Sequence, residues 1–183
     1  MSPQSVPKHS RAVKNSFWGS CMPRVKSTQF WRTLGSLPGL RRRDEASVAA
    51  IESTNPNASI VYVAQTKESR EALASHAAGF DLQWAGVLGV TSENICLWQC
   101  TKNYESQQVF NAQWNDVHDL GLASVRVWNR SIPTLQLTFD PAEGTRLITP
   151  FIVREGVGSA IGLGSGQRIN AVEKAVASHR DRP

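Results

Sequence analysis

The seven residues Thr134–Asp140, TLQLTFD, are the clearest guide to the fold of this chain. In an extended backbone Leu135, Leu137 and Phe139 point to one side, and the threonines and glutamine between them point to the other. A period of two is typical of a β-strand with one buried face. We therefore predict a strand here whose apolar side faces a core.

Segments of the same kind lie on both sides of this strand. Those we predict as further strands are Ser59–Thr66, Gln83–Val90, Asn94–Cys100, Val109–Trp114, Val125–Asn129 and Arg146–Val153. Pro141–Gly144 ends in a glycine that allows positive φ, which predicts a hairpin between the last two strands. Pro150 cannot donate a ladder hydrogen bond, so we expect the last strand to end at an edge of the sheet.

The chain changes period after its strands. In Gly166–His179 the apolar residues Ile169, Val172 and Val176 recur at spacings of three and four, which predicts one face of an amphipathic helix. Glu68–Ala78 also has helical composition, with Gly79 as a natural stop. The pattern indicates a mainly β fold, a small barrel or a sandwich, whose C-terminal helix caps one open end.

The basic charge of the protein is concentrated at its N-terminus. Residues 1–43 hold nine of the 20 Lys and Arg side chains and none of the 15 Asp and Glu. Their content of Ser, Pro and basic residues favours disorder. We predict a disordered basic arm over residues 1–43 and one folded domain over 44–183, whose first helix, Glu45–Ser53, is capped by Asp44.

Aromatic and aliphatic side chains are interleaved with the charges of this arm, a composition that suits an anionic membrane surface. The same composition suits nucleic acid, an organelle transit peptide or a solubilising tail, and the sequence leaves these alternatives open. The residues predicted to contact a membrane or phosphate groups are Arg32, Arg41, Arg42 and Arg43, with Trp18 and Trp31 as interfacial anchors.

The chain has three cysteines, an odd number that argues against a disulfide framework. Cys96 and Cys100 share one face of a predicted strand, with Cα atoms about 13 Å apart, too far to bridge. Reduced thiols are typical of the cytosol, so we expect a cytoplasmic protein. A protein bound to the cytoplasmic surface of a membrane also fits this expectation. No stretch approaches the length of a membrane-spanning helix.

Catalytic and metal-binding patterns are weak. Cys96, Cys100 and His118 show no spacing that indicates a nucleophile and its base, and the four histidines are scattered without a CxxC pair. The glycine run 156–166 lacks the spacing of a dinucleotide or phosphate loop. We predict no catalysis, no cofactor and no metal.

Tryptophan could also provide a ligand contact. Trp84, Trp98 and Trp114 fall in phase with other apolar strand positions, which favours core packing. Trp128 instead lies between two nearby arginines and is predicted to be exposed at the rim of the barrel. The candidate rim contacts are Arg126, Trp128 and Arg130.

The segment Ala85–Cys100, AGVLGVTSENICLWQC, resembles the second and third strands of pleckstrin-homology-like (PH-like) domains, especially the GRAM and bacterial PH-like branches. Phe110–Val117, Leu135–Phe151 and Ile169–Val176 are similar to later strands, the hairpin and the closing helix of that family. The resemblance covers roughly residues 45–180. It implies a seven-stranded antiparallel barrel capped by one helix, with Glu68–Ala78 as a helical insert.

The resemblance also implies a function. Domains of this kind bind ligands, so it suggests a non-catalytic module that acts at an anionic lipid surface or as a protein-interaction adaptor. With the basic arm, the leading prediction is electrostatic attachment at a membrane or to a protein partner. The alternative is a nucleic-acid-associated protein whose arm contacts phosphates.

Overall fold

Seven antiparallel strands form a single sheet in the computed structural model, in the order β4-β3-β2-β1-β7-β6-β5. The structure describes residues 39–77, 79–127, 130–141, 145–159, 169–170, 172–174 and 176–177. The strands are β1 (Ser59–Gln65), β2 (Ala85–Val90), β3 (Asn94–Cys100), β4 (Ser106–Gln113), β5 (Val117–Val127), β6 (Arg130–Phe139) and β7 (Leu147–Val153). The predicted mainly β class is confirmed, and β6 and β7 pair as the predicted hairpin.

In the described part of the chain, three helices lie before and between the strands. They are α1 (Leu40–Thr54), α2 (Lys67–His76) and a 3₁₀ helix (Trp114–Asp116). Thr66 caps α2 by accepting a hydrogen bond from the Ser69 backbone N–H at 3.1 Å. The described residues between 169 and 177 are helical, and Ile169 and Val176 are buried in the core.

The start of α1 differs from the prediction. The helix begins at Leu40 rather than Glu45, after Gly39, which has a φ of +83°. Asp44 is therefore not its cap but a buried residue inside it. The predicted boundary at residue 44 falls within a helix, so Arg41–Arg43 belong to the folded part and not to the arm. Asp44 is buried because it pairs with Arg154, 110 residues further along the chain. The residues next to Asp44 in the sequence therefore give no sign that it lies inside the helix.

Several strand predictions were also wrong in part. β4 begins three residues before the predicted Val109, and β6 begins four residues before the predicted Thr134. β5 begins at Val117, eight residues before the predicted Val125, because its first half is an edge strand with little alternation. β7 is an interior strand between β1 and β6, although Pro150 predicted an edge. Pro150 pairs with Gln136 on β6, whereas pairing to β1 is seen only from Phe151 onward. The proline thus lies where β7 has a neighbour on one side only.

The sheet curls around its apolar face. Phe110 on β4 and Phe139 on β6 stand far apart in the strand order, yet their ring centroids are 4.8 Å apart. The curled half-barrel encloses a core to which α2 contributes Leu73. The fully buried strand residues of this core include Val63, Leu88, Val90, Ile95, Leu97, Leu135, Leu137 and Phe151.

Candidate functional site

The helix α1 packs on the outer face of the sheet, against β2, β3 and β4. Gly89 makes this close approach possible. A Cβ atom at position 89 would lie 2.8 Å from Cγ2 of Ile51 and 3.1 Å from Sγ of Cys96. The backbone of β2 and the side chain of Ile51 are therefore in direct contact.

A buried ion pair fastens α1 to the sheet. Arg154, which follows β7, donates from Nη2 to Oδ1 of Asp44 at 2.6 Å and from Nη1 to Oδ2 at 3.0 Å. The two side chains are 0% and 3% exposed. Bidentate geometry of this kind is among the strongest charge-assisted hydrogen bonding in proteins.

The other donors of Arg154 are also satisfied. Nε donates to the carbonyl of Val63 at 3.0 Å, and the two terminal nitrogens donate to the carbonyls of Ser159 (2.9 Å) and Gly86 (3.3 Å). The guanidinium carbon also lies 5.7 Å from the ring centroid of Tyr62. One side chain thus joins α1, β1, the start of β2 and the loop after β7.

The loop after β7 contacts α1 as well. The N–H of Gly158 donates to Oδ2 of Asp44 at 2.7 Å. Gly158 has a φ of +73°, and a Cβ there would lie 3.0 Å from Cβ of Arg41. Only glycine meets both conditions without strain. The first turns of α1 are therefore held on two sides.

This anchored end of α1 presents three consecutive arginines. Its first turn contains no acidic residue, and Gly39 provides no side-chain hydrogen bond. Arg41 pairs with Glu45 at 2.8 Å on the surface, whereas Arg42 is exposed and makes no ion pair with any residue that the structure describes. Nε of Arg43 is buried and has no hydrogen-bond partner within the described part of the chain.

Cations at a helix N-terminus are opposed by the helix dipole, while an anion there is stabilised by the dipole and by free backbone N–H groups. The first turn of α1 thus gathers positive charge where a bound anion would relieve the repulsion. A cleft of about 280 Å³, measured out to its open mouth, lies beside Arg43 and Trp84. Most of this space is open to solvent, and the enclosed part, about 10 Å³, has room for about one water molecule. The cleft is therefore far too small to enclose a small-molecule ligand.

The predicted contact residues fall in three groups. Arg41, Arg42 and Arg43 come together on α1, as described. Arg126 is exposed on β5, which stands at the opposite end of the strand order from β4. Predicted residues that lie outside the described residues are Trp18, Trp31, Arg32 and Trp128, and the side chain of Arg130 is not described.

Cys96 and Cys100 lie under α1 on the outer face of β3, and both thiols are free and buried. Burial raises the pKa of each thiol, which is the reverse of the activation that a cysteine nucleophile needs. The carboxylate beside His118 is that of Asp140. These groups form no thiol–imidazole pair in the structure.

Sequence reasoning missed a surface triad at the end of the β6–β7 hairpin. Arg146 donates from Nε to Oδ1 of Asp140 at 2.9 Å, and Nε2 of His118 lies 2.6 Å from Oδ2 of the same carboxylate. The hydrogen bond from Arg146, followed by that from His118, lowers the pKa of Asp140 from 3.8 to about 2. The predicted hairpin placed Asp140 near Arg146, but no signal in the sequence pointed to His118.

Replacing Arg146 with glutamine is expected to raise the pKa of Asp140 towards its ordinary value of 3.8. A carboxyl whose pKa is depressed in the folded state stabilises that state above the unfolded pKa, and this stabilisation is lost as the pH falls through 2. Carbon-detected NMR titration of the Asp140 carboxyl measures the shift. Arg126→Gln, on β5, should leave the titration unchanged, and a wild-type midpoint near 3.8 would refute the triad.

Within the described residues, no group of three or more His, Cys, Asp or Glu side chains is arranged to hold a metal ion. No described helix is long and apolar enough to cross a membrane.

The chain matches no protein-family model, and no curated protein is significantly similar to it in sequence. The PH-like resemblance therefore stays a prediction from sequence pattern.

Proposed function

We propose that this protein is a non-catalytic PH-like binding module that attaches to anionic membrane surfaces through the N-terminal end of its domain. The order of its seven antiparallel strands supports this proposal, as does the helical segment that buries Ile169 and Val176 in the core. In this proposal α2 is the helical insert of the fold, and the segment around residues 169–177 is the helix that caps the barrel.

The observation that carries the proposal is the position of Arg41–Arg43. They occupy the first turn of a helix that is anchored by the buried Asp44–Arg154 pair, and Arg42 extends from it into solvent. An anchored helix presents its charges without the entropy cost of ordering them on binding. The remaining basic residues of the arm, with Trp18 and Trp31 at the interface, would add to this attachment.

The variant Arg41→Gln/Arg42→Gln/Arg43→Gln is expected to bind anionic vesicles about 150-fold more weakly. Each basic side chain near an anionic bilayer contributes about 1 kcal/mol, so three contribute roughly 3 kcal/mol. Cosedimentation of the full chain with vesicles of phosphatidylserine and phosphatidylcholine measures the loss, at low salt where screening is weak.

A matched control removes the same charge from another part of the domain. Lys67, Arg70 and Lys102 are exposed, and Lys67 pairs with Glu71 as Arg41 pairs with Glu45. Changing these three residues to glutamine should alter binding several-fold less than the α1 variant does. Equal loss in the two variants would show that only net charge matters, and equal pelleting on neutral vesicles would refute electrostatic attachment.

The nucleic-acid alternative gives a different result in the same set of measurements. A protein whose arm neutralises phosphates loses affinity for DNA or RNA steeply between low and moderate salt. Such a loss, together with no binding to anionic vesicles, would replace the membrane proposal.

A further inference from the structure

The two edge strands of the sheet differ in charge. Each carries a one-residue bulge, at Val109 in β4 and at His118 in β5. β5 also contains Asp119 and Arg126, charged residues of the kind that keep strand edges from pairing with other chains. β4, SQQVFNAQ, has no charged residue and no proline in its eight residues.

The side chains of β4 separate into a buried set and an exposed amide set. Val109, Phe110 and Ala112 are buried in the core, so the strand is firmly placed. The exposed residues are Gln108, Asn111 and Gln113, which none of the described residues covers.

Side-chain amides carry both donors and acceptors, so a row of them is complementary to a second copy of itself. Stacked Asn and Gln side chains are known to reinforce pairing between identical strands. The outer edge of β4 also offers backbone N–H and C=O groups that have no neighbouring strand within the described sheet. The same strand thus supplies the backbone and the side-chain chemistry for pairing with itself.

We propose that β4 is a self-association surface whose partner is β4 of a second copy, paired antiparallel about a twofold axis. Such an interface is isologous, so the same residues meet from both sides. Asn111, which lies in the regular stretch beyond the bulge, is placed near the axis. This inference goes beyond the proposed membrane attachment and does not depend on it.

Two strands of this length bury less surface than a permanent dimer needs, so the dimer is expected to be weak and dependent on concentration. Sedimentation equilibrium of the full chain from about 1 to about 200 µM spans the micromolar range expected of an interface this small. We expect a reversible monomer–dimer equilibrium. A wild-type protein that is monomeric at every concentration would overturn the proposal.

Asn111→Lys is expected to raise the dimer dissociation constant at least tenfold, because it brings two positive charges together at the axis. Asn57→Lys introduces the same charge at an exposed turn after α1 and should leave the equilibrium unchanged. Gln113→Lys is a second edge variant in case Asn111→Lys perturbs folding, which circular dichroism detects. Dimerisation of both edge variants at the wild-type constant would also overturn the proposal.

Discussion

Replacing Arg154 with methionine is expected to destabilise the protein by about 3–5 kcal/mol, the range for breaking one partner of a buried ion pair. Asp44 would lose its charged partner in a site that excludes water, and among the described residues only the N–H of Gly158 would still donate to it. Three backbone carbonyls, including those of Val63 and Gly86, would lose a hydrogen bond as well. Urea unfolding followed by circular dichroism measures the difference.

A double variant separates the charge from the packing. Asp44→Leu/Arg154→Met removes both charges, and we expect it to be more stable than Arg154→Met, since apolar replacement of a whole buried pair is often tolerated. Arg126→Met, at an exposed position, should change stability by no more than about 0.5 kcal/mol. A single Arg154→Met variant with wild-type stability would show that the ion pair does not anchor α1.

Replacing Phe139 with alanine is the second change with a large expected effect, also about 3–5 kcal/mol. Phe139 is 1% exposed, and its ring contacts that of Phe110 across the interior of the curled sheet. The substitution leaves a cavity between strands that are not neighbours in the sheet. We therefore expect this contact to help hold the curl of the half-barrel.

A double-mutant cycle tests that dependence. Phe110→Ala and Phe139→Ala should be non-additive by about 0.5–1.5 kcal/mol, the coupling typical of aromatic pairs. Phe80→Ala serves as a control, because Phe80 is 39% exposed and should contribute little. Strict additivity of the two core variants would indicate that the rings fill space independently and do not hold the curl.

Strands with one buried face could be predicted from the sequence, because burial of one face makes apolar and polar residues alternate along the strand. In β6 the alternating Leu135, Leu137 and Phe139 marked the strand, and all three are buried in the core. β3, which is buried on both faces, also has the bounds that were predicted for it, Asn94–Cys100. The first half of β5 was not predicted, because an edge strand such as HDLGLAS has fewer buried positions to impose a pattern. Strand propensity alone is a weak guide to an edge strand, which has a neighbouring strand on only one side.

The candidate site was predictable only as composition. The sequence identified Arg41, Arg42 and Arg43 as a basic cluster but placed them in a disordered arm. The anchor that positions them joins residues 110 positions apart, and no local pattern distinguishes Asp44 and Arg154 from surface charges. The requirement for glycine at positions 89 and 158 arises from the same tertiary contacts.

The double fastening of α1 has a geometric consequence. Arg154 and Gly158 both donate hydrogen bonds to Asp44, so the direction of the first turn of α1 is fixed relative to the strands. Charges on a flexible segment would allow the domain to adopt many orientations relative to the surface that it binds. A domain that docks through α1 would instead stand at one tilt, with the same strands facing outward in every copy.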